Sequence, residues 1–193
     1  MTQDRIKNDI KIGPVRMSYA YVFEPREDLN GKEIYSCVCL LPKEPCSFNM
    51  DPKKGGKELT NLIKLIAEEA KLKGEWRNPL RDGDKETDSE GRPKYPGFWF
   101  FTAKTGKDYP PIVRNAQNVP IGENSGYVSG DWARVALRLK AYEAAGNKGV
   151  SCYLAGVQWV AKDEPFGSDP DSMFADESQP APATGGFDPF ADE

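Results

Sequence analysis

Apolar and polar residues alternate along five segments of the chain with the two-residue period of a β-strand. Glycines, prolines and polar clusters border these segments. This combination predicts five principal strands. They are Ile10–Phe23, Lys32–Leu41, Phe98–Lys104, Trp132–Tyr142 and Gly149–Lys162.

The first predicted strand is long enough to need a bend, which we expect near Gly13-Pro14. Strict alternation puts Arg16 on one of its faces. The other face then carries Val15, Met17, Tyr19, Tyr21 and Phe23. We expect two hairpins. The first joins predicted strands one and two, and the second joins predicted strands four and five.

One segment has the spacing of a helix. Apolar residues recur over Lys57–Lys73 at Leu59, Leu62, Ile63, Ile66 and Ala70. We expect this stripe to pack against a sheet, Asp51–Gly56 to form a basic loop before the helix, and Gly74 to end it.

Five strands with one helix is the element count of an OB-fold. The sequence therefore predicts a mainly β protein, a five-stranded Greek-key barrel with one inserted α-helix and long loops. Other small barrels share this element order. We expect one barrel domain over residues 1–162 and a separate tail over 163–193.

The strand Trp132–Tyr142 has two chemically different faces. Ala133, Val135, Leu137, Leu139 and Ala141 form the apolar face. The opposite face carries Trp132, Arg134, Ala136, Arg138, Lys140 and Tyr142. Cations on this face can bind phosphates and aromatic rings can stack on bases. This combination suits a single strand of nucleic acid. The alternatives are that the charges only solvate the surface, and that Trp132 fills one end of the barrel.

Charge divides the chain into two parts. Residues 163–193 hold nine acidic residues and no Lys or Arg, and the remaining 26 basic and 21 acidic residues give the body a net charge of +5. The tail is rich in proline and has no hydrophobic period, so we expect it to be disordered.

The tail also repeats itself. Phe174-Ala-Asp-Glu177 recurs as Phe190-Ala-Asp-Glu193. A phenylalanine can fill a pocket while carboxylates pair with a basic rim. We therefore assign partner binding to Phe174, Phe187, Phe190, Asp188, Asp192 and Glu193, with the tail also competing for the body's own cationic surface.

Few residues suit catalysis or metal binding. The chain has no histidine, and Cys37 and Cys39 are too close in sequence for a zinc knuckle. In a reducing compartment we expect these two, Cys46 and Cys152 to be small, buried apolar residues in or beside strands. The sequence predicts no metal, no cofactor and no catalytic residue.

Asp82-Gly83-Asp84 lies in the long loop Glu75–Gly97, where it suggests a turn. A metal-dependent nuclease using Asp82 and Asp84 is the enzymatic alternative. A protein-interaction module that binds no nucleic acid is the other.

The chain has no apolar run of the roughly 20 residues that a membrane span needs, and no signal segment. We expect a cytoplasmic protein.

The ordered series of segments resembles a family of bacteriophage single-stranded DNA-binding proteins, related at fold level to the T7-type phage protein. The resemblance covers about residues 10–193 and rests on the series as a whole. Its segments are PVRMSYAYVFEP, YSCVCLLPK, the helix, NPLRDGD, FWFFTAK, YVSGDWARVALRLKAY and GVSCYLAGVQWV.

The resemblance implies an OB-fold that coats single-stranded DNA during phage replication, recombination and repair, in the host cytoplasm and without catalysis. It also implies replication or recombination partners for the tail, and it is compatible with a homodimer. We assign DNA contact only where this sequence has a suitable side chain. These residues are Trp132, Arg134, Arg138, Lys140 and Tyr142 on the strand, and Arg77, Arg81, Lys104, Lys107 and Arg114 in flanking loops.

Overall fold

A computed structural model describes residues 8–166. The six tail residues assigned to partner binding lie outside this range, as does most of the predicted tail. The elements are β1 (Asp9–Glu27), β2 (Glu33–Pro42), α1 (Pro52–Glu69), β3 (Arg81–Asp82), β4 (Phe98–Gly106), β5 (Ile112–Arg114), β6 (Trp132–Ala144) and β7 (Asn147–Ala161).

Five of the strands close into a barrel. The sheet order is β3-β4-β2-β1-β6-β7-β5, and β4 also pairs with β7 in parallel through Ala103↔Cys152 and Lys104↔Tyr153. That pairing joins β1, β2, β4, β7 and β6 into a ring, with β3 and β5 as short additions. Within the described residues, the predicted OB-fold barrel with one α-helix is confirmed.

The interior of the barrel is apolar, as the alternation on β6 predicts. Val135, Leu137 and Leu139 are at most 1 % exposed, whereas Arg138 and Lys140 are exposed. Trp132 is the exception, because only 3 % of its surface is accessible.

The bend predicted in β1 is confirmed, and a second irregularity reverses the predicted faces. The β1–β6 register shifts between Ile12 and Val15. The β1–β2 register shifts again between Ser18 and Tyr21, where Tyr19 has φ 46°. The extra residue turns the tyrosines outward: Tyr19 is 61 % exposed and Tyr21 37 %. The prediction that Tyr19 and Tyr21 share a face with Met17 is therefore wrong.

The helix begins and ends earlier than its apolar stripe predicts. Asp51 accepts a hydrogen bond from the Lys54 backbone N–H at 3.2 Å and caps the helix, and Pro52 fits its first turn, where no N–H is needed. The predicted basic loop is thus the start of α1. The chain leaves the helix at Lys71, with φ 53°, before Gly74 is reached. Leu59, Ile63 and Ile66 are buried against the barrel, which confirms the packing face, except that Ala70 lies past the helix end and is exposed.

The aromatic residues of β4 have different environments. Phe101 is in the barrel core, and Phe100 is buried on the outer side beneath the loop that contains Arg81 and Tyr95. Trp99 is 37 % exposed near the helix. No helix in the described part of the chain is long and apolar enough to cross a membrane.

The core contains three thiols. Cys37, Cys39 and Cys152 are buried, as predicted, whereas Cys46 is partly exposed, so the prediction that it is buried is wrong. All four are free. The sulfurs of Cys37 and Cys39 lie 3.7 Å apart. Burial raises the pKa of Cys39 well above its usual range and raises the pKa of Cys152 to about 12.

We expect iodoacetamide at pH 8 to modify only Cys46 in the native protein. A pKa of about 12 leaves about one thiolate in ten thousand at that pH, and the barrel wall excludes the reagent. Mass spectrometry should find one modified cysteine before denaturation and four after it. Modification of Cys152 at the rate of Cys46 would contradict this assignment.

Candidate nucleic-acid interface

The turns of two hairpins border the first of three grooves on the outer wall. This groove, about 850 Å³ in volume, lies between the β1–β2 turn and the β6–β7 hairpin, and β4 contributes part of its lining. We call it the hairpin groove. It brings together four residues predicted from sequence, Arg77, Arg81, Lys104 and Tyr142, with Leu29, Thr102 and Ser151.

Backbone contacts fix the position of Arg77. Its N–H donates to the Lys148 carbonyl at 2.9 Å, and its carbonyl accepts from the Val150 N–H at 3.2 Å. Gly149 lies between these partners, and a Cβ there would be 2.5 Å from the Arg77 carbonyl oxygen. Only glycine permits this close approach, which holds the Arg77 side chain at the groove.

A buried ring connects the hairpin groove to the next groove. The Arg81 guanidinium lies over Phe100, 4.4 Å from the ring centroid. Tyr95 contacts the same ring edge to face, with 4.9 Å between centroids. Phe100 therefore holds a cation of the hairpin groove and an aromatic residue of its neighbour in one packed unit.

The neighbouring groove is lined by aromatic residues. Its volume is about 680 Å³. The bulge in β1 exposes Tyr19 and Tyr21 here. We call it the tyrosine groove, and its lining includes Ser18, Tyr19, Tyr21, Lys94, Tyr95, Phe98 and Phe166.

A third groove, the edge groove, lies where β7 meets β5 and β6. Its volume is about 820 Å³, and it is lined by Tyr109, Ile112, Arg138, Lys140 and Tyr153 among others. Strand pairing connects it to the hairpin groove, since Arg138 lies opposite Tyr153 and Tyr153 opposite Lys104. The three grooves thus belong to one outer wall.

Two predicted arginines of β6 already have partners. Arg138 forms a two-pronged ion pair with Asp9, with N–O distances of 2.7 and 2.8 Å. These hydrogen bonds raise the pKa of Arg138. Arg134 donates to the Gly13 carbonyl at 2.8 Å and is half-buried. Both project from the same side of β6, as predicted, but each is engaged by β1.

Arg134, Arg114 and Lys107 lie outside the three grooves. Arg81, Lys104 and Arg114 belong to β3, β4 and β5, so the prediction that they lie in flanking loops is wrong. Lys107 pairs with Glu33. Arg114 donates to the Asn118 carbonyl at 2.7 Å. Arg114 and Arg134 flank Gln158 on neighbouring strands. The structure therefore gathers part of the predicted set and leaves these three apart from it.

The prediction that Trp132 lies on the exposed face is wrong, and the alternative that it fills the barrel end describes its environment better. Its ring stacks on Phe48 with 4.9 Å between centroids. Its Nε1 donates to the Asp163 carboxylate at 2.7 Å, and this hydrogen bond lowers the pKa of Asp163. A tryptophan with its ring packed and its N–H satisfied has no face left for a base.

The chain after β7 remains in contact with the body as far as Phe166. Arg16 donates to the Glu164 carbonyl at 2.7 Å and lies over the Phe166 ring, 4.3 Å from its centroid. Gly130 lies under this segment, and a Cβ there would be 2.5 Å from the Glu164 carbonyl oxygen. Phe166 is thereby held at the tyrosine groove.

Asp82 and Asp84 both bind one cation of the protein. The Lys43 ammonium contacts Asp82 Oδ1, and it lies 2.5 Å from Asp84 Oδ2. Hydrogen bonds from Lys43 are the largest cause lowering the pKa of each carboxyl, and those same bonds raise the pKa of Lys43. The ion pair with Lys43 and the turn account for Asp82 and Asp84. These two carboxylates therefore do not require a hydrolytic metal.

The tyrosine groove was missed by sequence reasoning. Strict alternation assigned Tyr19 and Tyr21 to the core face, and Lys94 and Tyr95 were only members of a long loop. A tyrosine that follows Met17 and Ser18 gives no local signal of a bulge. Exposure of these rings depends on the β1–β2 pairing, which is non-local.

A family model described as Enterobacter phage Enc34, ssDNA-binding protein, matches residues 8–182. Among solved structures, the single-stranded DNA-binding protein from bacteriophage Enc34 in complex with ssDNA is 25% identical, with a TM-score of 0.67, covering 83% of this chain and 90% of that one. The single-stranded DNA-binding protein gp2.5 of bacteriophage T7 is 16% identical, with a TM-score of 0.56 over 91% of this chain and 98% of that one, and so shares the fold.

No curated protein sequence matches this chain. The family match covers most of the chain, and the family is one of binding proteins and not of enzymes. The chain belongs to the single-stranded DNA-binding protein family of Enterobacter phage Enc34.

Proposed function

We propose that this protein binds single-stranded DNA, independently of sequence and without catalysis, across the hairpin and tyrosine grooves. The observation that carries the proposal is the packed unit around Phe100. It joins a groove bordered by Arg77, Arg81 and Lys104 to one bordered by exposed tyrosines.

The two grooves supply the two interactions that hold a single strand. Lys104 forms no ion pair among residues 8–166, and its charge is the smallest of the effects that lower the pKa of Asp28, so it is available to a phosphate. Tyr19 presents an exposed ring for base stacking, and Tyr21 presents a partly exposed ring with the Arg26 guanidinium 5.0 Å from its centroid. Stacking accepts any base and phosphate pairing is blind to sequence, so together they coat DNA without selecting a site.

The predicted cations of β6 extend this surface. Lys140 and Arg138 lie in the edge groove, next to Tyr153, which pairs with Lys104. A DNA strand that leaves the hairpin groove over Lys104 would contact Lys140 and Arg138 next. Because Asp9 neutralises much of the Arg138 charge, we expect Arg138 to contribute less than Lys104.

In the phage life cycle, this binding would coat and protect exposed strands during replication, recombination and repair in the host cytoplasm. It requires no cofactor. Continuous coating follows from a binding surface that lies along the barrel wall and accepts any base.

The acidic tail would compete with DNA and recruit replication or recombination proteins. Phe166, the last described residue, lies in the tyrosine groove, so residues 167–193 continue from the edge of the proposed DNA surface. Those residues include seven carboxylates and no cation. A tethered anion at this point has a high local concentration against the same cations that bind phosphate.

Replacing Lys104 by Ala should reduce the slope of log K against log salt by about 0.7, the value for one lost phosphate contact on a single strand. Affinity should fall for all base compositions alike. Fluorescence anisotropy with oligothymidylate at several salt concentrations measures both. The matched control is Lys54→Ala, which removes an exposed cation that lines none of the three grooves; an unchanged slope in Lys104→Ala would contradict the assignment.

Tyr21→Ala should weaken binding by about 1–3 kcal/mol at fixed salt, because a stacking ring is lost. The salt slope should stay unchanged, since no charge is removed. Tyr21→Phe keeps the ring and should retain most of the affinity. Equal losses in both variants, measured in the same anisotropy titration, would exclude stacking by Tyr21.

A chain ending at Phe166 should bind oligothymidylate more tightly than the full chain at low salt. The gain should disappear in high salt, where charges are screened. Ending the chain at Phe166 keeps the Asp163 hydrogen bond to Trp132 intact. Equal affinity of the two chains at low salt would refute tail competition.

A further inference from the structure

A fourth groove, with a lysine rim, lies between the helix and the barrel. We call it the helix groove. Its volume is about 570 Å³, and Lys53, Lys57 and Lys64 of α1 line it together with Lys43. The three helix lysines project from the same side of α1 because their spacing follows the helical repeat. The apolar part of the lining is Leu41, Pro42, Pro52, Leu80 and Trp99.

The rim has uncompensated positive charge. Lys43 is paired with Asp82 and Asp84, and Lys53 lies 3.5 Å from Glu44. Within residues 8–166, Lys57 and Lys64 form no ion pair. Two unpaired ammonium groups on one helix face create a positive potential that favours a ligand with carboxylates.

The groove also has an aromatic wall. Trp99 is 37 % exposed, and the Lys43 ammonium lies 4.7 Å from its ring centroid. Because two aspartates bind Lys43, the cation beside the ring is held in place. A flat aromatic surface beside lysines fits a peptide that carries one ring and neighbouring carboxylates.

The helix groove meets the hairpin groove at Asn78, which lines both, but the two grooves have different cations. The Arg77–Arg81 segment lies between them: Arg77 and Arg81 line the hairpin groove, whereas Leu80 lines the helix groove. Lys57 and Lys64 line none of the other three grooves. A ligand here would leave the cations of the hairpin groove free.

The chain's own tail contains a segment with the required chemistry within reach. Phe174-Ala-Asp-Glu177 has one ring and two carboxylates, and it begins eight residues after Phe166. Eight extended residues span up to roughly 27 Å, against a radius of gyration of about 15 Å for a body of this size. Phe98 lines the tyrosine groove beside Phe166, and the next residue, Trp99, lines the helix groove.

We propose that the helix groove binds residues 174–177 of the same chain, with Phe174 against Trp99 and the carboxylates at Lys57 and Lys64. Anchored at Phe166 and Phe174, the intervening segment keeps Asp169 and Asp171 next to the tyrosine groove. The helix groove then strengthens competition between tail and DNA, which makes this proposal dependent on the proposed function.

The direction in which DNA affinity changes when the groove lysines are reversed tests this proposal. In the full-length chain, Lys57→Glu with Lys64→Glu should tighten binding to oligothymidylate at low salt by about fivefold, the lower end of usual coupling between sites. The two residues are exposed, so the fold should persist. Lys54→Glu with Lys71→Glu, at two exposed lysines that line none of the four grooves, is the control with the same change in net charge and should have little effect. Weaker binding would mean that the groove contacts DNA and would overturn the proposal, as would no change.

A second variant tests the occupant. Phe174→Ala should tighten DNA binding to a similar degree, and combining it with the lysine reversals should add little, because both remove the same contact. Additive effects would overturn the proposal. If Phe190→Ala alone has this effect, or if the effect depends on protein concentration, the occupant is the second repeat or another copy, and the assignment to residues 174–177 fails.

A measurement without DNA separates this proposal from the proposed function. The indole N–H resonance of Trp99 in the full-length protein should shift on Phe174→Ala and on the lysine reversals, and stay in place in the Lys54→Glu, Lys71→Glu control. An unmoved resonance overturns the proposal even if DNA binds as expected. A shifted resonance in a protein that binds no oligothymidylate upholds the anchor and refutes the DNA function.

Discussion

The parallel pairing of β4 with β7 is the constraint on which the rest of the surface depends. Only Ala103↔Cys152 and Lys104↔Tyr153 pair there, yet these contacts close the ring of strands. Closure turns Ala103 and Cys152 into the core and their neighbours outward. It is the reason that Lys104 of the hairpin groove lies beside Tyr153 of the edge groove, although the two residues are far apart in sequence.

Around that closed wall, the protein supports its surface with buried rings. Phe100 is on the outer side of the barrel, where a phenylalanine would normally be exposed, and the loop over it supplies Arg81 and Tyr95. Trp132 plays a related part at one end, where it stacks on Phe48 and binds Asp163. Such packing holds cations and rings in position before any ligand arrives, which reduces the entropy lost on binding.

The cations next to the grooves are of two kinds, those paired with a carboxylate and those left unpaired. Several cations next to the grooves are balanced by local carboxylates, as Arg138 is by Asp9 and Lys43 by Asp82 and Asp84. Lys104, Lys57 and Lys64 are left without such partners in the described chain. The first faces the proposed DNA surface and the other two the helix groove, so unbalanced charge coincides with the two places proposed to receive an anion.

Local pattern was enough to predict the five barrel strands, the helix and the apolar side of β6. A two-residue period and a helical stripe are read from neighbouring residues, because each reflects which side of one element is buried. The hairpins and the bend in β1 followed from turn residues in the same way. Arg77, Arg81, Lys104 and Tyr142, which share the hairpin groove, were selected because cations and rings next to strands suit nucleic acid.

Tertiary structure alone decided which way the remaining side chains face. The bulge that exposes Tyr19 and Tyr21 exists because β1 must pair with β6 along one half and with β2 along the other. The burial of Trp132 depends on Phe48 and Asp163, which are distant in sequence. Sequence by itself determined the elements and the kinds of side chain available for binding. Contacts between distant segments decided which of them share a groove, because burial and pairing are set by the closed barrel and not by any one strand.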